Sequence, residues 1–253
     1  MKKKIMHTCL ISVFAAGISA SGAFAKNEDT LKNEAEQIIK LLISCRAVIA
    51  QHQELFNNPD IGDKGFTGEV YKNKIIEHFK NETGMEISEK DATPSEPLKK
   101  ALGTILISAK EVIDENQGVL NEKGKGFKNI IPARVGRSIC NKFTASMGGD
   151  YLLKQTSLMY RNLSNRPDFF EARVLEEFEA GKHPKSEGKG VVRTNPDGTK
   201  VYRYIFPLYI EPACLLCHGE PKGSRDISGR IKEGYKEGEV RGAISAAIPY
   251  SLR

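Results

Sequence analysis

Cys214, Cys217 and His218 stand in the run Cys214-Leu215-Leu216-Cys217-His218, a C-x-x-C-H spacing. Two thiols three positions apart can both reach the vinyl groups of one porphyrin, and the adjacent imidazole is then held beneath the metal. The run therefore predicts one covalent haem c per chain, bound through Cys214 and Cys217, with His218 on the iron. A bare C-x-x-C would read as a redox dithiol or as half a zinc site. Neither competes well, because the histidine is in place and no second C-x-x-C completes a zinc set.

The remaining cysteines bear on the other face of the iron. Cys9 lies in the N-terminal leader, and Cys214 and Cys217 are committed, which leaves Cys45 and Cys140. They can form a disulfide, be buried small hydrophobes, or supply a sixth ligand. The imidazoles of His52, His78 and His183 sit in polar stretches that suit exposed surface better than iron. No Ser-His-Asp arrangement or carboxylate pair can be assigned, and no distal acid-base groups of a haem peroxidase are evident, so the reading is not an enzyme.

The N-terminus gives an address. Lys2, Lys3 and Lys4 precede an apolar run from Cys9 to Ala20 that closes in Ala23-Phe24-Ala25, the pattern of a cleavable export signal over residues 1–25. The run is short for a bilayer span, so a mature chain of residues 26–253 without an integral membrane span is expected. In bacteria this kind of haem attachment takes place outside the cytoplasmic membrane, so motif and leader agree on a periplasmic or otherwise exported protein. The formal charge of +6 falls to +3 when Lys2, Lys3 and Lys4 leave. Acids and lysines are interspersed over 27–40 and 230–241, which reads as solvated surface and argues against nucleic acid.

The elements that must hold the motif follow from periodicity. Leu31, Ala35, Ile38, Ile39, Leu42, Ile43, Ala47 and Ile49 fall at helical spacing and predict a long amphipathic helix over 29–54. Further helices are predicted over 70–81 and, after Pro94-Ser95-Glu96-Pro97, over 98–117. The chain also repeats itself. Val48-Ile49, Gln53, Asn57, Gly65-Phe66, Phe79 and Gly84 match Val112-Ile113, Gln117, Asn121, Gly126-Phe127, Phe143 and Gly148, with a compensating deletion in the loop. From 151 onwards the chain reads as sheet: a hairpin of 191–194 and 201–210 about Asn195-Pro196-Asp197-Gly198, then a strand over 239–250. The motif lies between these strands. One α+β domain is expected, mainly helical over 26–150 and sheet-rich over 151–253.

Taken together, Lys154 to Asn162, Asn165-Arg166-Pro167-Asp168, Glu171, Leu175-Glu176-Glu177-Phe178, Tyr202-Arg203-Tyr204, Cys214 to Gly219, and Gly238 to Ser245 resemble the Tll-type c-haem domain family. That family is a PAS-like sensory domain long catalogued as a domain of unknown function, and the likeness includes Gly62 to Gly68 in the first half. The resemblance implies a haem on a PAS-like antiparallel sheet, with His218 as one axial ligand and a cysteine of an upstream helix as the other. Cys140, in Arg137-Ser138-Ile139-Cys140-Asn141-Lys142-Phe143, occupies the family's place for that cysteine, with Cys45 as the alternative. Arg161 and Arg203, matching residues, can pair with haem propionates or make ordinary ion pairs with Asp168, Glu171 or Glu176. Tyr202, Tyr204, Phe206 and Tyr209 are candidates to pack on the porphyrin, though strand alternation lets only about half face it.

Two functions remain open. One is a redox or small-gas sensor, in which a diatomic ligand or an electron changes iron ligation and a partner protein receives the signal. The other is a periplasmic electron-transfer cytochrome that serves a redox partner with fixed ligation.

Overall fold

The Asn27 side chain accepts the Thr30 N–H at 2.7 Å and opens α1 (Glu28–Gln51), whose buried positions from Leu31 to Ile49 recur at three- and four-residue steps. The computed structural model describes residues 27–87 and 95–250. The leader assigned to residues 1–25 lies outside them. After His52 the chain turns into α2 (Gln53–Asn57), and Thr67 caps α3 (Gly68–Thr83), which ends at Gly84 in the left-handed conformation (φ 70°). Ser95 caps α4 (Glu96–Glu115), followed by α5 (Gln117–Leu120) and by α6 (Pro132–Ser146), where the proline sits in the first turn. The predicted helices are all present: the one expected over 29–54 breaks at His52 into α1 and α2, the one over 70–81 is longer at both ends, and the one over 98–117 starts and stops two residues earlier.

The two helical units line up in a different register from the one the residue matches suggest. A constant offset of 64 relates the two helical units, with no deletion. Gln53, Asn57, Lys64, Phe79 and Gly84 correspond to Gln117, Asn121, Lys128, Phe143 and Gly148. Gly65-Phe66 therefore answers to Asn129-Ile130 and not to Gly126-Phe127. The backbone decides it, because Gly65 (φ 60°) and Asn129 (φ 58°) share a left-handed conformation, which asparagine tolerates better than other side chains do.

The two units clasp each other. The Gln53 amide donates to Ile130 O at 2.8 Å, and the Gln117 amide donates to Phe66 O at 2.9 Å. Asn57 accepts the Lys128 N–H at 2.9 Å, and Asn121 accepts the Lys64 N–H at 3.0 Å. Each loop thus has its backbone satisfied by the other unit's amides, which holds the two loops at matching positions.

The second half is a four-stranded antiparallel sheet of β1 (Leu152–Thr156), β2 (Lys189–Thr194), β3 (Lys200–Tyr209) and β4 (Val240–Pro249), in the order β1-β4-β3-β2. Tyr202 pairs with Ile248 and Tyr204 with Ala246, so Tyr202, Tyr204, Ile244, Ala246 and Ile248 share one face and join the helical core. α1 packs on β3 and β4, and α6 on β1. The other face is covered by α7 (Phe169–Glu179), whose Val174, Leu175 and Phe178 close on Ile205, Val240 and Ala243. Each such buried side chain contributes roughly 1.5–3 kcal/mol. The result is an α+β fold of three layers: helical bundle, sheet, single helix.

Glu171 anchors that third layer. It is buried (1% exposed) and accepts from the Asp168 N–H, Lys154 Nζ, Thr156 Oγ1 and Arg203 Nη2 at 2.9–3.2 Å. Asp168 caps the same helix and pairs with Arg203 at 2.7 Å. Arg203 is thus committed to the helix α7 carboxylates, which is the ion-pair reading of that residue.

Candidate functional site

After β3 the chain passes Pro212 and forms a short helix, α8 (Leu215–His218), that presents Cys214, Cys217 and His218 together. Both cysteines are free and half-buried. Gly219 leaves α8 in extended conformation, not left-handed. A side chain at Gly219 would lie 2.7 Å from Leu215 O, so close backbone approach is what requires glycine there.

His218 is held from behind. Its Nδ1 lies 2.8 Å from Glu233 Oε2. Burial alone raises the Glu233 carboxyl, but hydrogen bonds from His218 and Arg161 outweigh that and hold it at about 2. The carboxylate therefore only accepts, so Nδ1 carries the proton and Nε2 is the nitrogen free to bind a metal. This is the arrangement by which a second shell fixes a ligating imidazole. Burial lowers His218 from its ordinary value, so the ring is neutral, as ligation requires.

Arg161 organises the rest of the loop. Its Nε and Nη2 grip Glu233 at 2.6 and 2.7 Å, Nη1 reaches Asp226 at 2.7 Å, and Nη2 also donates to Cys217 O at 2.8 Å. This bidentate clasp occupies the guanidinium with protein carboxylates. Arg241 completes the cage, donating to Ser157 Oγ at 2.7 Å and lying 3.6 Å from Glu233. Its Nε is 3.3 Å from His218 Nδ1, but the closer carboxylate takes that proton.

The profile of the Tll0287-like family (Tll0287) matches residues 25–249. The chain belongs to the Tll0287-like family. No curated protein and no solved structure matches it.

In this Tll0287-like chain the two remaining thiols are both buried and unbridged. Burial pushes the Cys45 thiol up strongly, and Tyr71 OH donates to the Cys45 carbonyl at 2.7 Å. Burial also raises Cys140, to about 12, and the nearby Arg46 guanidinium works against that rise. Burial lowers the Arg46 guanidinium from its ordinary value. Arg46 lies against α6. Its stem passes Gly136, where an added Cβ would lie 3.1 Å from both Arg46 Cγ and Gln155 Oε1. Gln155 Oε1 is buried without a partner, although its amide donates to Ala133 O at 2.8 Å.

The residues fit a haem c. Two free thiols for the vinyl groups and an imidazole with Nε2 available are what its attachment asks for, while Cys140 is buried in the helical core beside Ile139 and Phe143. His52, His78 and His183 are half-buried, not exposed, and each has a chain partner: His52 with Val48 O at 2.7 Å, His78 with Ser44 Oγ at 3.2 Å, His183 with Gly188 O at 3.2 Å. Tyr202 and Tyr204 stack 6.2 Å apart within the helix-facing core, and Tyr204 OH donates to Glu36 at 2.5 Å. Tyr209 belongs to the α7 face.

Sequence reasoning missed Glu233, Asp226, Arg241 and Arg46. Residues 230–241 read as solvated surface, yet the Glu233 side chain is 8% exposed and anchors the site. Alternating charge cannot distinguish a surface stretch from one folded around a buried arginine. Arg46 sat beside Cys45 as an available signal, an arginine on the apolar stripe of an amphipathic helix.

Proposed function

We propose that this protein is an exported c-type haem protein that acts as a redox or small-gas sensor. The observation that carries the reading is the C-x-x-C-H run whose histidine has Nδ1 engaged by Glu233 and Nε2 free. Attachment adds each thiol across one vinyl double bond, and the bound haem then supplies one-electron chemistry and a site for diatomic ligands. Cys214 and Cys217 anchor the porphyrin, and His218 binds the iron through Nε2. Glu233, gripped by Arg161, fixes the ring and increases its donor strength. Cys140 on α6 is the sixth ligand and Cys45 the alternative.

Sensing follows from the asymmetry of the two ligands. His218 is locked by a buried ionic cage. Cys140 rides on a helix, and a thiolate binds ferric iron more strongly than ferrous iron because its charge offsets the higher oxidation state. Were Cys140 to hold a bound haem, its weaker hold in the reduced state would leave room for nitric oxide, carbon monoxide or oxygen and would loosen α6, a two-state element that a partner could read. The leader at residues 1–25 supports a periplasmic location. Among the described residues no helix is long and apolar enough to cross a membrane.

Optical and paramagnetic resonance spectra of the holoprotein test this reading. The ferric form is expected to be six-coordinate and low-spin, and the ferrous form to bind carbon monoxide. Cys140→Ala is expected to turn high-spin or recruit another ligand, while Cys45→Ala leaves the spectrum unchanged. The reverse pattern assigns Cys45. A ferrous form that refuses carbon monoxide and cycles without ligand change identifies an electron-transfer cytochrome instead.

A further inference from the structure

The offset of 64 that relates the two helical units allows their interiors to be compared position by position. In the first unit the space between the end of α1, the loop and α3 is filled by rings. His52 and Phe66 lie 4.9 Å apart, Phe56 and Phe66 4.8 Å, and Phe66 and Tyr71 5.7 Å. In the second unit the positions of His52, Phe56, Phe66 and Tyr71 are held by Asn116, Leu120, Ile130 and Val135. All four rings are replaced by smaller side chains.

The second unit has not collapsed to close the difference. The reciprocal amide bonds from Gln53 and Gln117 hold the two loops alike, and Asn129 repeats the left-handed turn of Gly65. A cavity of about 350 Å³ results, with Asn116, Ile130 and Val135 in its wall. That volume is within the ~300–1,000 Å³ of small-molecule sites, and half of the lining residues are apolar, the Phe127 ring among them, the rest being polar or cationic.

The charge of the wall has changed along with its size. Lys125, Lys128 and Arg134 line it, and no carboxylate does. The first-unit counterparts of Lys125 and Arg134 are Ile61 and Val70, so two cations accompany the loss of the rings. Lys125 has Glu122 at 3.0 Å, and the buried Lys128 ammonium bonds the Glu122 carbonyl. Arg134 is exposed, and its guanidinium makes no hydrogen bond or ion pair among the described residues.

We infer that this cavity between α4, α5 and α6 binds a small aromatic carboxylate, its ring in the space that the rings of His52 and Phe66 fill in the other unit and its carboxylate on Arg134. A planar guanidinium matches a carboxylate with two parallel bonds, and a flat apolar body replaces the contacts that the aliphatic side chains leave unmade.

Titration of the isotope-labelled mature protein with 2-naphthoate, followed through the amide resonances of Asn116, Ile130 and Val135, tests the assignment. Saturable shifts at those residues are expected, with binding weaker by roughly tenfold or more for the uncharged 2-naphthalenemethanol, and none for acetate. Ile130→Phe, which imports the Phe66 ring, is expected to abolish binding and raise the melting temperature. Asn116→His is a second filling variant with the same expected loss, and Arg134→Ala is expected to weaken binding roughly tenfold without moving the melting temperature. The assignment is overturned if 2-naphthoate leaves those resonances unmoved at millimolar concentration. It is overturned equally if the alcohol or acetate matches the naphthoate, or if either folded filling variant binds as wild type does.

Discussion

Glu233 accepts a hydrogen bond from the Nδ1–H of His218 at 2.8 Å and is itself gripped through both oxygens by Arg161. The imidazole therefore has a fixed tautomer, a fixed plane and one free nitrogen before any iron arrives. A ligand backed by an anion donates more strongly and favours the ferric state. Glu233→Gln keeps the shape and removes the charge. It is expected to move the haem midpoint potential upward while the haem stays attached, as protein-film voltammetry can read, and to lower stability by about 1–3 kcal/mol because Arg161 loses a charged partner. An unchanged potential would reduce Glu233 to a structural prop.

Asp226 gives the loop its pH dependence. It accepts from Arg161 Nη1 at 2.7 Å, Ser228 Oγ at 2.6 Å and the N–H groups of Ser228 and Arg230 at 2.8 and 3.0 Å. Burial raises its carboxyl, but the bonds from Ser228, Arg161 and the backbone outweigh it and bring it from 3.8 to about 2. A group lowered on folding contributes fully above its unfolded value and loses that contribution as pH falls toward the folded one. Urea unfolding is therefore expected to show wild type ahead of Asp226→Asn by about 1–3 kcal/mol at neutral pH, with the gap closing between pH 4 and pH 2. A gap independent of pH would show that the carboxylate charge is not what holds the loop.

The clasp between the helical units makes a paired prediction. Gln53→Ala and Gln117→Ala each strip a loop carbonyl, Ile130 O or Phe66 O, of its side-chain donor. Each is expected to cost about 1–3 kcal/mol in chemical denaturation, with the two costs alike. Asn129→Gly is expected to be neutral or better, and Asn129→Val clearly destabilising, because the backbone there is left-handed (φ 58°). A large cost for one glutamine and none for the other would show that the units do not depend on each other equally.

The fold was legible where periodicity was strong and local. The stripe from Leu31 to Ile49 gave α1, Ser95 with Pro97 gave the start of α4, and the turn at Asn195 to Gly198 gave the hairpin. β1 and α7 were not foreseen as elements. β1 is five residues long, and its Lys154 and Thr156 face the Glu171 carboxylate, so it lacks an apolar alternation. α7 is recognisable by its capping box, in which Asp168 accepts the Glu171 N–H and Glu171 accepts the Asp168 N–H.

At the site, the grouping of Cys214, Cys217 and His218 was legible because the three are nearly contiguous in the chain. Arg161 stood out as a site residue, but its partners did not. Glu233 and Asp226 lie 72 and 65 positions away, and only the return of the loop toward β4 brings them beside it. Such pairing is tertiary information, which a charge pattern along the chain does not contain.

The mass of the denatured protein, made together with the haem-attachment machinery, tests the central claim most directly. The wild-type chain is expected to carry one haem that survives denaturation, and Cys214→Ser with Cys217→Ser is expected to carry none. A wild-type chain without the adduct, or an adduct that persists in the double variant, would contradict the account.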